Sequence, residues 1–171
     1  MAEWRRGDYT ISDERARLDV DVIYDFLNEA SYWARGRSRE RVERSVEHSL
    51  PFGVYRADGR QVGFARVVTD YATFAWLADV FVLDTERGRG VGKWLVETVV
   101  SHPELRGVRR WLLATRDAQE LYRRFGFRDL RDSPFGWMER LSTSGHPRRW
   151  AATSGISRRT WSFSTEPSRR T

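Results

Sequence analysis

Cysteine is absent from the 171 residues, which excludes disulfides and thiol nucleophiles. The three histidines, His48, His102 and His146, are scattered too widely to suggest a metal centre, and no metal is expected. No apolar run approaches the roughly 18 residues of a membrane span. Met1 leads into charged residues rather than the apolar core of a signal peptide, so a cytoplasmic protein without membrane partners is expected. Lysine is almost missing as well. Lys93 is the only one, and arginine makes up the rest of the 30 basic residues.

A net charge of +6 and a pI near 10.3 raise the question of nucleic-acid binding, and the answer lies in where the charge sits. From Ser142 onward there are six arginines and one acid, which leaves 24 basic against 23 acidic residues up to Leu141. The basicity therefore belongs to the tail. Twelve of its 30 residues are Ser or Thr and no hydrophobic period runs through it, so residues 142–171 are expected to be disordered. Docking of the tail through Trp150, Ile156 and Trp161 is the alternative. With the body nearly neutral, nucleic acid is not expected as a partner; a homodimer is compatible with the sequence.

Residues 1–8 read as a lead-in and residues 9–141 as one domain. "YTISD" is a short strand. Val22, Ile23, Phe26, Leu27 and Ala30 then recur at helical spacing behind a capping Asp19, and a second helix runs from Ser38 to about His48. Two apolar runs flank Asp58–Gly59, the signal of a tight hairpin. "FAWLADVFVL" is almost continuously apolar and predicts a strand covered on both faces, central in the sheet. Val91, Leu95 and Val99 predict a helix ended by His102 and Pro103. "RRWLLAT" is a further buried strand. Asp117 and Glu120 suggest a capping box ahead of a helix that stops at Gly126, and "FGWMERL" a last edge strand. The fold class expected is α/β (α+β), with a mixed, mostly antiparallel sheet flanked by helices.

Between the apolar strand and the helix lies "ERGRGVGKW". A dinucleotide fingerprint would need glycine where Lys93 stands, and a P-loop would need glycine at Arg87 and Ser or Thr at Trp94. A loop leaving a buried strand and opening a helix nonetheless points free backbone N–H groups at an anion, with the helix dipole in support. Gly88, Gly90 and Gly92 clear the approach for a pyrophosphate, and Arg87, Arg89 and Lys93 can meet its charge. The plainer reading is a turn that only needs positive φ.

The Arg-x-x-Gly-x-Gly pattern is far more specific than the glycines alone. "VFVLDTERGRGVGKWLVE" resembles the acetyl-CoA binding motif of the Gcn5-related N-acetyltransferase (GNAT) superfamily, and "LATRDAQELYRRFGF" is similar to that family's next motif. The resemblance covers residues 9–141. It implies an N-acetyltransferase that uses acetyl-CoA as cosubstrate and acts on a small-molecule or peptide amine. The cofactor would lie between the strands Phe74–Leu83 and Arg109–Ala114, beside Phe81 and Val82, with its pyrophosphate on the amides of Arg87, Gly88, Arg89, Gly90, Val91, Gly92 and Lys93. Many members carry Asn where this chain has Thr115, whose hydroxyl can still bond the pantetheine arm.

The chemistry of acetyl transfer needs a neutral amine, a stabilised oxyanion and a proton for the departing thiolate. By the resemblance, Tyr122 is the general acid and the amide of Val82 meets the oxyanion. Asp79, the one carboxylate in its apolar strand, is a candidate base, or else a structural ion-pair partner of Arg66 across the turn. Tyr122 equally fits a core face with Ala118, Leu121 and Phe125. Tyr32, Trp33 and Arg35 are candidates for the acceptor wall. A catalytically silent acyl-CoA binding module is the competing function, and nucleic-acid binding through the basic tail a third.

Overall fold

The computed structural model describes residues 1–133 and 135–140. The tail beyond lies outside the described residues. Met1–Ser133 form one compact unit, and a second begins at Pro134. Of the latter, residues 135–140 carry no strand, so the edge strand expected from "FGWMERL" is not formed there.

Six strands make one sheet in sequence order: β1 (Glu3–Arg6), β2 (Tyr9–Ser12), β3 (Leu50–Arg56), β4 (Gln61–Thr69), β5 (Phe74–Val82) and β6 (Arg110–Leu112). All neighbours are antiparallel except β5 and β6. The apolar strand β5 is thus interior, though next to the edge rather than central. β6 is shorter than the apolar run suggested and only partly buried.

Strand β1 falls in the expected lead-in. Nothing in "EWRR" alternates like a half-buried strand; it is fastened from outside. The Ala2 N–H donates to Asp13 Oδ1 at 2.6 Å, the other Asp13 oxygen lies 3.1 Å from the His102 Nε2, and the Trp4 ring sits 5.6 Å from the His102 ring.

Turns follow their local chemistry. Gly59 takes φ +84° between β3 and β4, and the Asp58 carboxylate accepts the Arg60 N–H at 3.1 Å. Between β4 and β5, Asp70 accepts from the Thr73 hydroxyl and from the N–H groups of Ala72, Thr73 and Phe74. Those bonds, the hydroxyl's first, hold its carboxyl far below the ordinary range.

Helices cover both faces. Helix α1 (Val20–Asp25), capped by Asp19, runs into a wider π turn over Phe26–Ala30, and α2 (Arg39–Glu47) is capped by Ser38. They bury Ile23, Leu27, Val42 and Val46 with Phe64 and Phe81. On the other face α3 (Val91–Val100) buries Val91, Trp94, Leu95, Val96 and Val99 against Phe52, Val54, Val67 and Leu77. Ile23 is fully buried, so Ile23→Val should lower the unfolding free energy by ~0.5–1.5 kcal/mol, read as a lower urea midpoint at unchanged slope.

Helix α4 (Gln119–Arg123) departs from expectation at its start. Asp117 and Glu120 form no capping box; the cap position is Ala118, whose N–H donates to the Thr115 hydroxyl at 3.1 Å. Its end is as read, with Gly126 at φ +83° and the Phe127 N–H returning to the Tyr122 carbonyl at 3.3 Å.

One irregularity reorganises β5. Arg66 pairs with Ala78 and Phe64 with Phe81, so β5 carries one residue more than β4 across this interval, and Asp79 adopts φ +50°. An inserted residue reverses the facing of everything beyond it. Ala75 and Leu77 pack with α3 before the bulge; after it Val80 and Val82 do so, while Phe81 turns to α1 and α2.

Candidate active site

The parallel ladder between β5 and β6 ends at Trp76–Leu112, while β5 runs on to Val82. Beyond that point β5 has no strand on one side, and a cavity of about 540 Å³ opens there, at the carboxyl ends of the parallel pair. Its floor is Val80, Phe81 and Val82; the glycine loop closes one end, α4 a second side, and the α1–α2 connection a third. The Leu83 N–H donates back to the Val62 carbonyl on β4 at 2.8 Å. Strand alternation therefore turns the Val82 N–H the other way, toward the cavity.

The glycine loop is shaped by backbone conformation rather than crowding. Gly88 and Gly90 adopt φ +77° and +78°, and a Cβ at either would meet no atom within 4 Å. Gly90 caps α3, so the N–H groups of Val91, Gly92 and Lys93 have no carbonyl within the helix to bond. Open space thus lies in front of a ten-residue helix whose first donors are unsatisfied.

Beside this loop sits Glu86, an acid that looks like a solvated residue in the sequence and is 4% exposed in the fold. It accepts from the Tyr9 hydroxyl at 2.5 Å and from Arg56 at 3.0 Å, with Arg89 at 3.8 Å. The tyrosine bond, with Arg56 behind it, keeps the carboxyl below its usual range despite the counteracting desolvation. The buried charge is thereby compensated beside the free amides of the loop.

Tyr122 lines the cavity from α4 and is buried. Burial, with Tyr32 and Asp117 adding to it, pushes its phenol up to about 12. Opposite stands an aromatic wall: Phe26 stacks on Phe81 at 3.9 Å, and Tyr32 meets Trp33 edge-on at 4.9 Å. The Tyr32 hydroxyl accepts the Arg116 N–H at 2.8 Å, linking the α1–α2 connection to the start of α4.

Eleven of the residues singled out from the sequence line this one cavity: Phe81, Val82, Arg87, Gly88, Gly90, Val91, Gly92, Lys93, Tyr122, Tyr32 and Trp33. Four do not. Arg89 turns to Glu86, the Thr115 hydroxyl serves the Ala118 N–H, and Arg35 donates to the Glu29 carbonyl. Asp79 lies buried behind Trp33. Burial alone would raise its carboxyl, but the Arg66 and Arg37 guanidiniums outweigh this and hold it below the ordinary range. Phe26, Ala30, Val80, Glu86, Asp117, Ala118 and Leu121 line the cavity without having been singled out as site residues; Phe26, Ala30 and Leu121 belong to apolar helical stripes that read as core.

A strand, a glycine loop and a helix with free first-turn amides thus stand beside a splayed parallel pair on a mixed sheet. The profile of the acetyltransferase (GNAT) family matches residues 20–127, and the chain belongs to that family. It is 30% identical over 151 residues to a protein of Gibberella zeae named as a candidate acetyltransferase, covering 75% of this chain and 84% of the relative. A Xanthomonas campestris crystal structure assigned to the GNAT family is 46% identical, with a TM-score of 0.73 over 78% of this chain and 93% of that one. Glucosamine-6-phosphate N-acetyltransferase from Arabidopsis thaliana shares the fold at 16% identity, TM-score 0.54, over 78% of this chain and 97% of its own.

Proposed function

We propose that the protein transfers an acetyl group from acetyl-CoA to a primary amine by direct attack of the amine on the thioester. The observation that carries this reading is the open anion site of Gly88–Lys93 and the phenol of Tyr122 meeting in one cavity along the unpaired half of β5. Acetyl-CoA supplies the activated acetyl group. The amides of Val91, Gly92 and Lys93, with Arg87 and Lys93 side chains, hold its pyrophosphate. The Val82 N–H meets negative charge developing on the carbonyl oxygen. Tyr122 keeps a proton toward the sulfur, and with a phenol near 12 it stays protonated at any physiological pH.

Acetyl-CoA should raise the melting temperature, because at 100 times its Kd a ligand adds about 2.7 kcal/mol to the folded state. The decisive assay is release of CoA thiol with a panel of amines. Binding with no thiol release from any amine would leave a silent acyl-CoA binding module; no thermal shift at all would remove both readings.

A further inference from the structure

We propose that Asp79 is a positioning residue, not the base: its carboxylate ties the α1–α2 connection to the bulge of β5 and so sets the aromatic wall against which the acceptor lies. The inference rests on reading the cavity as an acetyl-transfer site.

Both carboxylate oxygens are taken, by three donors from two parts of the fold. Oδ1 accepts the Trp33 indole N–H at 3.0 Å; Oδ2 accepts from Arg37 at 2.9 Å and from Arg66 of β4 at 2.6 Å. The Asp79 side chain is 3% exposed, and it does not line the cavity. A group so placed, off the cavity lining and with both oxygens engaged, is not open to an amine in the cleft. Trp33, by contrast, does line the cavity, and its ring orientation is fixed by the bond it gives to Asp79.

The location explains why a carboxylate serves here. A bulge residue at φ +50° excludes most side chains, but Asp and Asn tolerate this region. The bulge also turns Val80 and Val82 toward the α3 side and Phe81 under the wall residue Phe26. One residue therefore sits at the reversal of β5 and holds the connection that faces it. Within the connection the Ala34 N–H goes to the Ser31 hydroxyl and the Gly36 N–H to Asn28, and the Tyr32 hydroxyl reaches only the start of α4, through the Arg116 N–H. Its polar ties to the sheet run through Trp33 and Arg37 to Asp79.

Asp79→Asn keeps the backbone preference and removes the charge; Trp33→Phe keeps the ring and removes the donor. In the full chain, both should raise the KM for the acceptor, by roughly 10-fold, the size of one charge-assisted hydrogen bond, while leaving that for acetyl-CoA within about 2-fold. The acidic limb of kcat/KM should remain at the acceptor's own ammonium pKa in both. Amide hydrogen exchange over residues 31–37 should quicken in both variants, a result independent of turnover. Loss of the acidic limb in Asp79→Asn with acceptor KM and exchange unchanged would make Asp79 the base and overturn the proposal. If Asp79→Asn does not fold, Trp33→Phe decides by the same KM split and exchange, and wild-type values there reject the tether. Should wild type acetylate no amine, the acetyltransferase reading fails, while the exchange data still judge the tether.

Discussion

Gly90→Glu is expected to abolish the rise in melting temperature that acetyl-CoA gives the wild-type protein. Gly90 caps α3 at φ +78°, and the space where its side chain would stand is open. A glutamate there costs about 1–2 kcal/mol for a left-handed conformation that a Cβ disfavours. Its Cβ would meet no protein atom within 4 Å, so the fold should survive. Its carboxylate, however, would occupy the dipole end and the free amides of Val91 to Lys93 as an internal anion, repelling a pyrophosphate from the same donors. Gly90→Ala separates the two effects, because it incurs the backbone cost without the charge and should bind acetyl-CoA more weakly but measurably. A full thermal shift in Gly90→Glu would show that the pyrophosphate lies elsewhere.

Tyr122→Phe is expected to lower kcat by roughly 100-fold, about 2.7 kcal/mol, with acetyl-CoA affinity nearly unchanged. The estimate sits at the low end for acid–base catalysis for a reason. A phenol held near 12 is a much weaker acid than a thiol, whose pKa is about 8.5, so complete proton transfer to the departing sulfur is uphill. Hydrogen bonding to the developing thiolate is the larger share of its contribution. The same displacement fixes the pH dependence: the phenol is active when protonated, so its loss should reduce kcat only as pH rises toward 12, and no such limb should appear below about pH 11. Unchanged turnover in Tyr122→Phe would return the residue to a packing role beside Phe127, whose ring lies 5.9 Å away.

The features legible in the sequence are those decided by neighbours a few positions along the chain. The Asp19 cap, the helix beginning at Ser38, the Asp58–Gly59 hairpin and the Gly126 stop all depend on local backbone chemistry, and each is formed where it was read. The glycine loop belongs with them, because positive φ at Gly88 and Gly90 and the free first turn of α3 follow from residues within one helical turn. The residue spacing there and around Tyr122 also carries the family, which the match over residues 20–127 establishes.

What only the tertiary structure decided involves partners far apart in sequence. Glu86 is buried beside the glycine loop with Tyr9 and Arg56 reaching it from β2 and β3; no local pattern announces that. Strand β1 forms because Asp13 and His102 offer a place to anchor it. The register of β4 against β5 was within reach as far as the Arg66–Asp79 pair, but not the extra residue that puts Asp79 at φ +50° and turns Phe81 away from α3. A bulge is set by how two ladders close around it, and β-strand sequence says little about such closure. The three donors on Asp79 come from positions 33, 37 and 66, so whether that carboxylate is a base or a tether is written in the contacts of the fold and not in the strand that carries it.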